Sequence, residues 1–166
     1  MAKQIWNELA ETKKGLLHAL SLFTQDNFNT VPFEDSWTAG QVAEHLYKSL
    51  KGGPQLLNGG NKPTERDPAQ NVAGLRKMFL DFSIKMKSPD FILPGDEPKE
   101  QAELTRLLDE TLSAIIEVAA KVDLNLTLTE FQFPGSEDTT RLELVNFMSV
   151  HTQRHTWQLY NMHKHF

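Results

Sequence analysis

The stretch Leu144-Val145-Asn146-Phe147-Met148-Ser149-Val150-His151-Thr152-Gln153-Arg154-His155-Thr156-Trp157-Gln158-Leu159-Tyr160-Asn161-Met162 decides how this chain is read. Wound as a helix, it puts Leu144, Met148, His151, His155, Gln158 and Met162 on one side, at alternating intervals of four and three. Those intervals are the signature of a helix face turned toward a core. An ordinary bundle would place leucine where His151 and His155 stand. Thr140 and Glu143 have the spacing of a capping box, which starts such a helix by satisfying two otherwise unpaired amides. Two imidazoles at i and i+4 lie one above the other and can hold one metal ion.

Working outward, the same periodicity marks other helices. One is expected from about Ile5 to Phe23, with Trp6, Leu9, Leu16, Leu20 and Phe23 inward and His18 roughly opposite, in solvent. Another opens at Thr38, where Thr38 and Gln41 repeat the capping-box spacing and Trp37 and Val42 have that of a hydrophobic staple. It carries Val42, His45, Leu46, Ser49 and Leu50 and is expected to end at Gly52-Gly53-Pro54. A loop rich in Gly, Asn and Pro follows from Gln55 to about Ala69. A third helix is expected from about Asn71 to Met86, with Val72, Leu75, Phe79, Phe82 and Met86 in its stripe. The loop Ser88 to Pro98 carries Phe91, Ile92 and Leu93, expected to fold onto the bundle or line a pocket. A fourth helix is expected from about Lys99 to Val122, with Leu104, Leu108, Thr111, Ile115, Val118 and Val122 inward. Leu124, Leu126 and Leu128, then Phe131 and Phe133, alternate with polar residues and predict extended chain. A lone strand cannot form a sheet, so this segment is expected to cover the helices. The sum is an all-α chain, a predominantly antiparallel four-helix bundle with an additional helix and loop cover, forming one domain over residues 1–166.

Composition narrows the function. The formal net charge of −5 argues against a general nucleic-acid binder. No apolar run reaches membrane-spanning length, and the first residues lack the apolar block of a secretory leader, so a cytoplasmic location is expected. The absence of cysteine removes disulfides, thiolate ligands and thiol nucleophiles. A metal site must therefore draw on His, Asp, Glu or water.

His45 occupies the inner stripe of its helix as His151 and His155 do of theirs. A lone histidine on an apolar face is usually a hydrogen-bonded core residue. Three such rings cost more, because each unpaired buried nitrogen is worth on the order of 1–3 kcal/mol. A shared metal would offset that for one nitrogen of each ring. The other nitrogen would need an acceptor, for which Glu44 and Gln158 are near in sequence. Three imidazoles suit zinc, nickel, iron(II) or copper rather than magnesium or calcium. They leave a coordination position open to water, substrate or an incoming thiol. His163 and His165 at the last turn complement the helix dipole, and Glu44 with Lys48 is expected to be a solvated i, i+4 pair. Arg154 points away from the histidine stripe, toward a bundle neighbour or an anionic substrate. Ser-His-Asp order, P-loop and dinucleotide fingerprint are all missing from the sequence.

The run Trp37-Thr38-Ala39-Gly40-Gln41-Val42-Ala43-Glu44-His45-Leu46 resembles the first motif of the DinB superfamily, the DinB/YfiT-like metalloenzymes. Phe133-Pro134-Gly135 and the later His151-Thr152-Gln153-Arg154-His155-Thr156-Trp157-Gln158-Leu159 resemble its second. Order and separation fit, so the resemblance spans most of the chain. It implies a compact four-helix bundle in which His45, His151 and His155 hold a divalent metal, nickel or zinc first, with iron or manganese as alternatives. It also implies a small-molecule substrate, a low-molecular-weight thiol in the characterised transferases, and often a homodimer. Other members are described as metal-dependent hydrolases. The run after His155, Thr156-Trp157-Gln158-Leu159, departs from the more basic run of many members and is closer to a divergent branch. Three readings stand at this point: transfer or addition involving a thiol, hydrolysis by a metal-bound water, and a non-catalytic metal-binding or stress-related interaction protein.

Overall fold

A computed structural model describes residues 2–166. Its long helices are α1 (Ala2–Ser21), α3 (Ala39–Leu50), α6 (Gln101–Ala119) and α7 (Arg141–His163). Shorter ones are α2 (Gln25–Phe28), α4 (Gly53–Asn58) and α5 (Val72–Leu80). Around the bundle, α1 packs on α6 and α7, and α3 packs on the same two helices, closing a four-membered ring. Helix α5 lies against α7 from outside, and α4 against α6. This is the all-α bundle with a covering helix that the periodicities predict. The core joins Leu9, Leu16 and Leu20 of α1, Leu46 and Leu50 of α3, Leu108, Leu112 and Ile115 of α6, and Met148 and Leu159 of α7. Among the described residues no helix is long and apolar enough to cross a membrane.

The capping boxes form as the sequence predicts. Thr38 Oγ1 accepts the Gln41 N–H (3.1 Å), and Gln41 Oε1 accepts the Thr38 N–H (3.0 Å). Thr140 and Glu143 do the same at the start of α7. Glu143 is fully buried there, because its carboxylate also takes both Arg66 terminal nitrogens (2.8 Å each) and the Asn71 N–H. One buried carboxylate thus starts α7 and ties the preceding loop to it.

Several boundaries differ from the sequence reading. Gly52-Gly53-Pro54 ends α3 but also opens α4, since proline fits a first helical turn, where its missing N–H has no partner to lose. Helix α2, with its own capping box from Thr24 and Asn27, has too few residues for a periodicity. Helix α5 stops at Leu80 rather than Met86. Arg154 donates to the carbonyls of Phe79 (3.2 Å), Asp81 (2.9 Å) and Ile84, capping a chain that has already turned away. Phe82 leaves the helix to stack on Trp157 (4.6 Å, 12°), while Met86 stays exposed. Helix α6 turns Leu112 and Ala119 fully inward, whereas Thr111, Val118 and Val122 are half-buried. The alternating segment is not a mere cover. Thr127 and Leu128 form a strand, β2, paired antiparallel with β1 (Asn61–Lys62) from the Gly/Asn-rich loop. Phe133 to Ser136 makes a tight turn with Gly135 at φ +80°, the left-handed position after proline that glycine fills without strain.

Candidate metal centre

His45 stands on the second turn of α3, in the phase fixed by the Thr38 cap. His151 and His155 stand in the middle of α7. Where the two helices pack, the three rings meet. His45 Nε2 lies 3.2 Å from His151 Nε2, and His155 Nε2 lies 3.1 Å from the same atom. The three histidines are a group whose ligand atoms all fall within 4.8 Å of one another. His45 and His151 are buried (1% and 6% exposed), while His155 keeps part of its surface open. His163 packs on Phe23, His165 on Phe33, and His18 is exposed and bonded to Tyr160 (2.8 Å), so the chain's other histidines lie in other contacts.

The outward nitrogens decide what the inward ones can do. His45 Nδ1 is 3.0 Å from the Ile92 carbonyl oxygen, which can only accept, so Nδ1 carries the proton. Ser49 Oγ donates to the Leu46 carbonyl (2.8 Å), so toward His151 Nδ1, at 3.4 Å, it too is an acceptor. His155 Nδ1 is 2.7 Å from Gln158 Oε1. His45 and His155 are therefore protonated at Nδ1 and present bare lone pairs at Nε2, and Ser49 as an acceptor favours the same tautomer in His151. A second proton on any ring is opposed. Burial pushes each below the ordinary histidine range, His151 far below and His155 to about 3, and for these two the neighbouring imidazoles and Arg154 reinforce it.

In that tautomer the His151 Nε2 lone pair faces those of His45 and His155 at 3.2 and 3.1 Å without a hydrogen between them, and they repel. A cation among them turns the repulsion into coordination. Histidine nitrogens bind zinc at about 2.0–2.1 Å, which at a tetrahedral angle separates two of them by about 3.3 Å and at a right angle by about 2.9 Å. The observed 3.1 and 3.2 Å fall between these values. The donor set and its spacing fit a divalent transition metal.

Aromatic rings wall the cluster. Trp37 lies against His45 (5.3 Å between centroids), and Phe147 stacks on His151 (5.2 Å, 11°) with Phe79 edge-on to the same ring (5.8 Å). Phe147 precedes His151 by four residues and Ser49 follows His45 by four, so helical spacing could have found both. The Ile92 carbonyl has no sequence signature at all. Of the acceptors proposed from sequence, Gln158 serves His155, but Glu44 does not serve any ring. Nor is Glu44 a solvated partner of Lys48 alone. It accepts from Lys99 Nζ (2.7 Å) and the Gly95 N–H (2.8 Å), with Lys48 at 3.3 Å. Phe91 and Leu93 do not fold inward, being 83% and 41% exposed; their loop docks through its backbone instead. Two surface hollows of about 410 and 520 Å³, one between α1 and α7 and one beside Arg66 and Phe133, are lined by none of the three histidines.

In comparison with known proteins, a family model described as the DinB superfamily matches residues 8–159, a span that holds all three histidines. No curated protein and no solved structure matches the chain.

Proposed function

We propose that this chain, which belongs to the DinB superfamily, is a metal-dependent enzyme that uses His45, His151 and His155 to catalyse transfer or addition of a low-molecular-weight thiol to a small electrophile. The observation that carries the metal reading is the meeting of three Nε2 atoms, with a close acceptor at Nδ1 of His45 and His155 and a longer one, Ser49, at Nδ1 of His151. A divalent ion in that set, nickel or zinc first by the family resemblance, would supply a Lewis acid whose charge no ligand neutralises, able to lower the pKa of a bound thiol or water.

The chain's own residues prepare for that role. Ile92, Ser49 and Gln158 hold the tautomer and the ring orientation. Burial keeps the rings neutral, so they are ready to bind near pH 7. Trp37, Phe79 and Phe147 keep water from the back of the cluster. His155 is the least buried of the three rings, and the small molecule is proposed to approach on its side. Because the sequence has no cysteine, any thiol in the reaction comes from the substrate. The transfer chemistry itself rests on the family resemblance.

The test has two stages. Protein purified without a nickel resin is assayed for metal and titrated with zinc and nickel; failure to bind either one removes the proposal. The loaded protein is then offered a thiol with a panel of electrophiles, beside a panel of esters and amides. Thiol-dependent turnover is expected, and turnover of esters or amides alone would replace transfer by hydrolysis.

A further inference from the structure

Two neighbouring residues of α3 grip the same short loop. His45 Nδ1 donates to the Ile92 carbonyl (3.0 Å), and the Glu44 carboxylate accepts the Gly95 N–H (2.8 Å). Between the two anchor points lie only Leu93 and Pro94, and the proline's fixed φ makes that link stiff. Helix residues on the same side add two more holds: Lys48 Nζ donates to the Leu93 carbonyl (2.8 Å) and Gln41 Nε2 to that of Gly95 (3.3 Å).

The far end of the loop is staked by Lys99, only 7% exposed. Its ammonium lies between Glu44 (2.7 Å) and Glu97 (2.6 Å). Its backbone is held by α2 and the residue capping that helix's C-terminal end: Asn29 accepts its N–H (2.7 Å), and Gln25 and Asn29 donate to its carbonyl (2.7 and 2.9 Å). Its stem runs so close to α3 that a Cβ on Gly40 would sit 2.9 Å from it, which is why that one position of the helix carries no side chain. A buried lysine held by a half-buried glutamate needs a reason, since an ion pair taken out of water is weak as a stabiliser.

We infer that Glu44 is a positioning residue for the metal centre, acting through Gly95 and the stiff Ile92–Gly95 link to set the carbonyl that fixes His45. The inference deepens the proposed metal site and rests on that reading. Glu44 touches no ring of the cluster; it decides where the Ile92 oxygen stands, and that oxygen decides which His45 nitrogen is free to bind.

The experiment reads the His45 tautomer by imidazole ¹⁵N NMR in chelator-treated protein, and zinc affinity by competition with a chelating dye. The variants are Glu44→Ala and, as a destabilised control on a helix that carries no histidine, Leu112→Val. Wild type and Leu112→Val are expected to show a single Nδ1-protonated His45, and Glu44→Ala a mixture of tautomers with zinc affinity weakened about tenfold or more. Should Glu44→Ala not fold, Glu44→Leu combined with Lys99→Met removes both ions together, leaves no buried charge unpaired, and is read in the same way. A single His45 tautomer in the Glu44 variant, or a loss of zinc affinity no greater than that of Leu112→Val, overturns the inference. The tautomer is observed without metal, so a wild type that binds no zinc would defeat the proposed function while Glu44's hold on His45 is still decided by the NMR.

Discussion

Replacing His151 by leucine should make the metal-free protein more stable and the metal-loaded protein relatively less so. In the folded chain His151 Nε2 faces two other bare nitrogens, at 3.2 and 3.1 Å, and its Nδ1 has only a long contact of 3.4 Å to Ser49. A buried polar atom without a partner costs about 1–3 kcal/mol. Leucine removes that atom and both repulsive contacts. Its surroundings suit an apolar side chain, since Phe147 and Phe79 pack on the ring and the residue is 6% exposed. Ser49 keeps its own donation to the Leu46 carbonyl and loses little. A gain of about 1–2 kcal/mol is therefore expected in urea unfolding with chelator present, part of the polar relief being offset by imperfect packing. With zinc at a hundredfold its dissociation constant, wild type alone gains about 2.7 kcal/mol. The order of the two proteins should then reverse. If His151→Leu unfolds more easily than wild type in chelator, the three rings do not repel, and the reasoning from facing lone pairs fails.

Three further outcomes follow from the same geometry. His155, with a pKa of about 3, and His151, far below the ordinary value, stay neutral when folded but take protons when unfolded below about pH 6.5. The unfolded state then binds more protons, so the stability of chelator-treated protein should fall as pH drops from 6.5 to 5, measured by urea unfolding across pH. His45, also lowered by burial, leaves a smaller slope in His151→Leu/His155→Leu; a slope undiminished there would assign it elsewhere. Gln158→Leu strips His155 Nδ1 of its partner and should weaken zinc binding about tenfold in a competition titration, with little change in the chelated fold. Glu143→Ala breaks a fully buried carboxylate away from Arg66, Asn71 and the Thr140 cap, and should cost about 3–5 kcal/mol in urea unfolding.

Where elements are long and capped, local chemistry predicts them closely. Thr38 with Gln41 and Thr140 with Glu143 set the starts of α3 and α7, and so the phase in which His45, His151 and His155 face inward. Short elements elude periodicity. Helices α2 and α4 have four and six residues, too few to show a stripe, and β1 and β2 pair across more than sixty residues of chain. Helix α5 ends early because Arg154 of another helix takes its carbonyls, a fact of packing that the run Asn71 to Met86 does not contain.

The sequence by itself determined that three imidazoles stand on inner helical faces in a chain without cysteine. Side-chain type and spacing along a helix are local properties, and a helix turns them into a face without help from the rest of the fold. Only the tertiary structure decided that these faces meet, that three Nε2 atoms come within coordinating distance, and that a backbone carbonyl of Ile92 sets the tautomer of His45. It also decided that Glu44 and Lys99 grip a loop beneath the site instead of lying in solvent. Carbonyl oxygens are identical at every residue, and burial of an ion pair depends on what packs over it. Neither is written in the order of side chains; both arise when distant segments are pressed together.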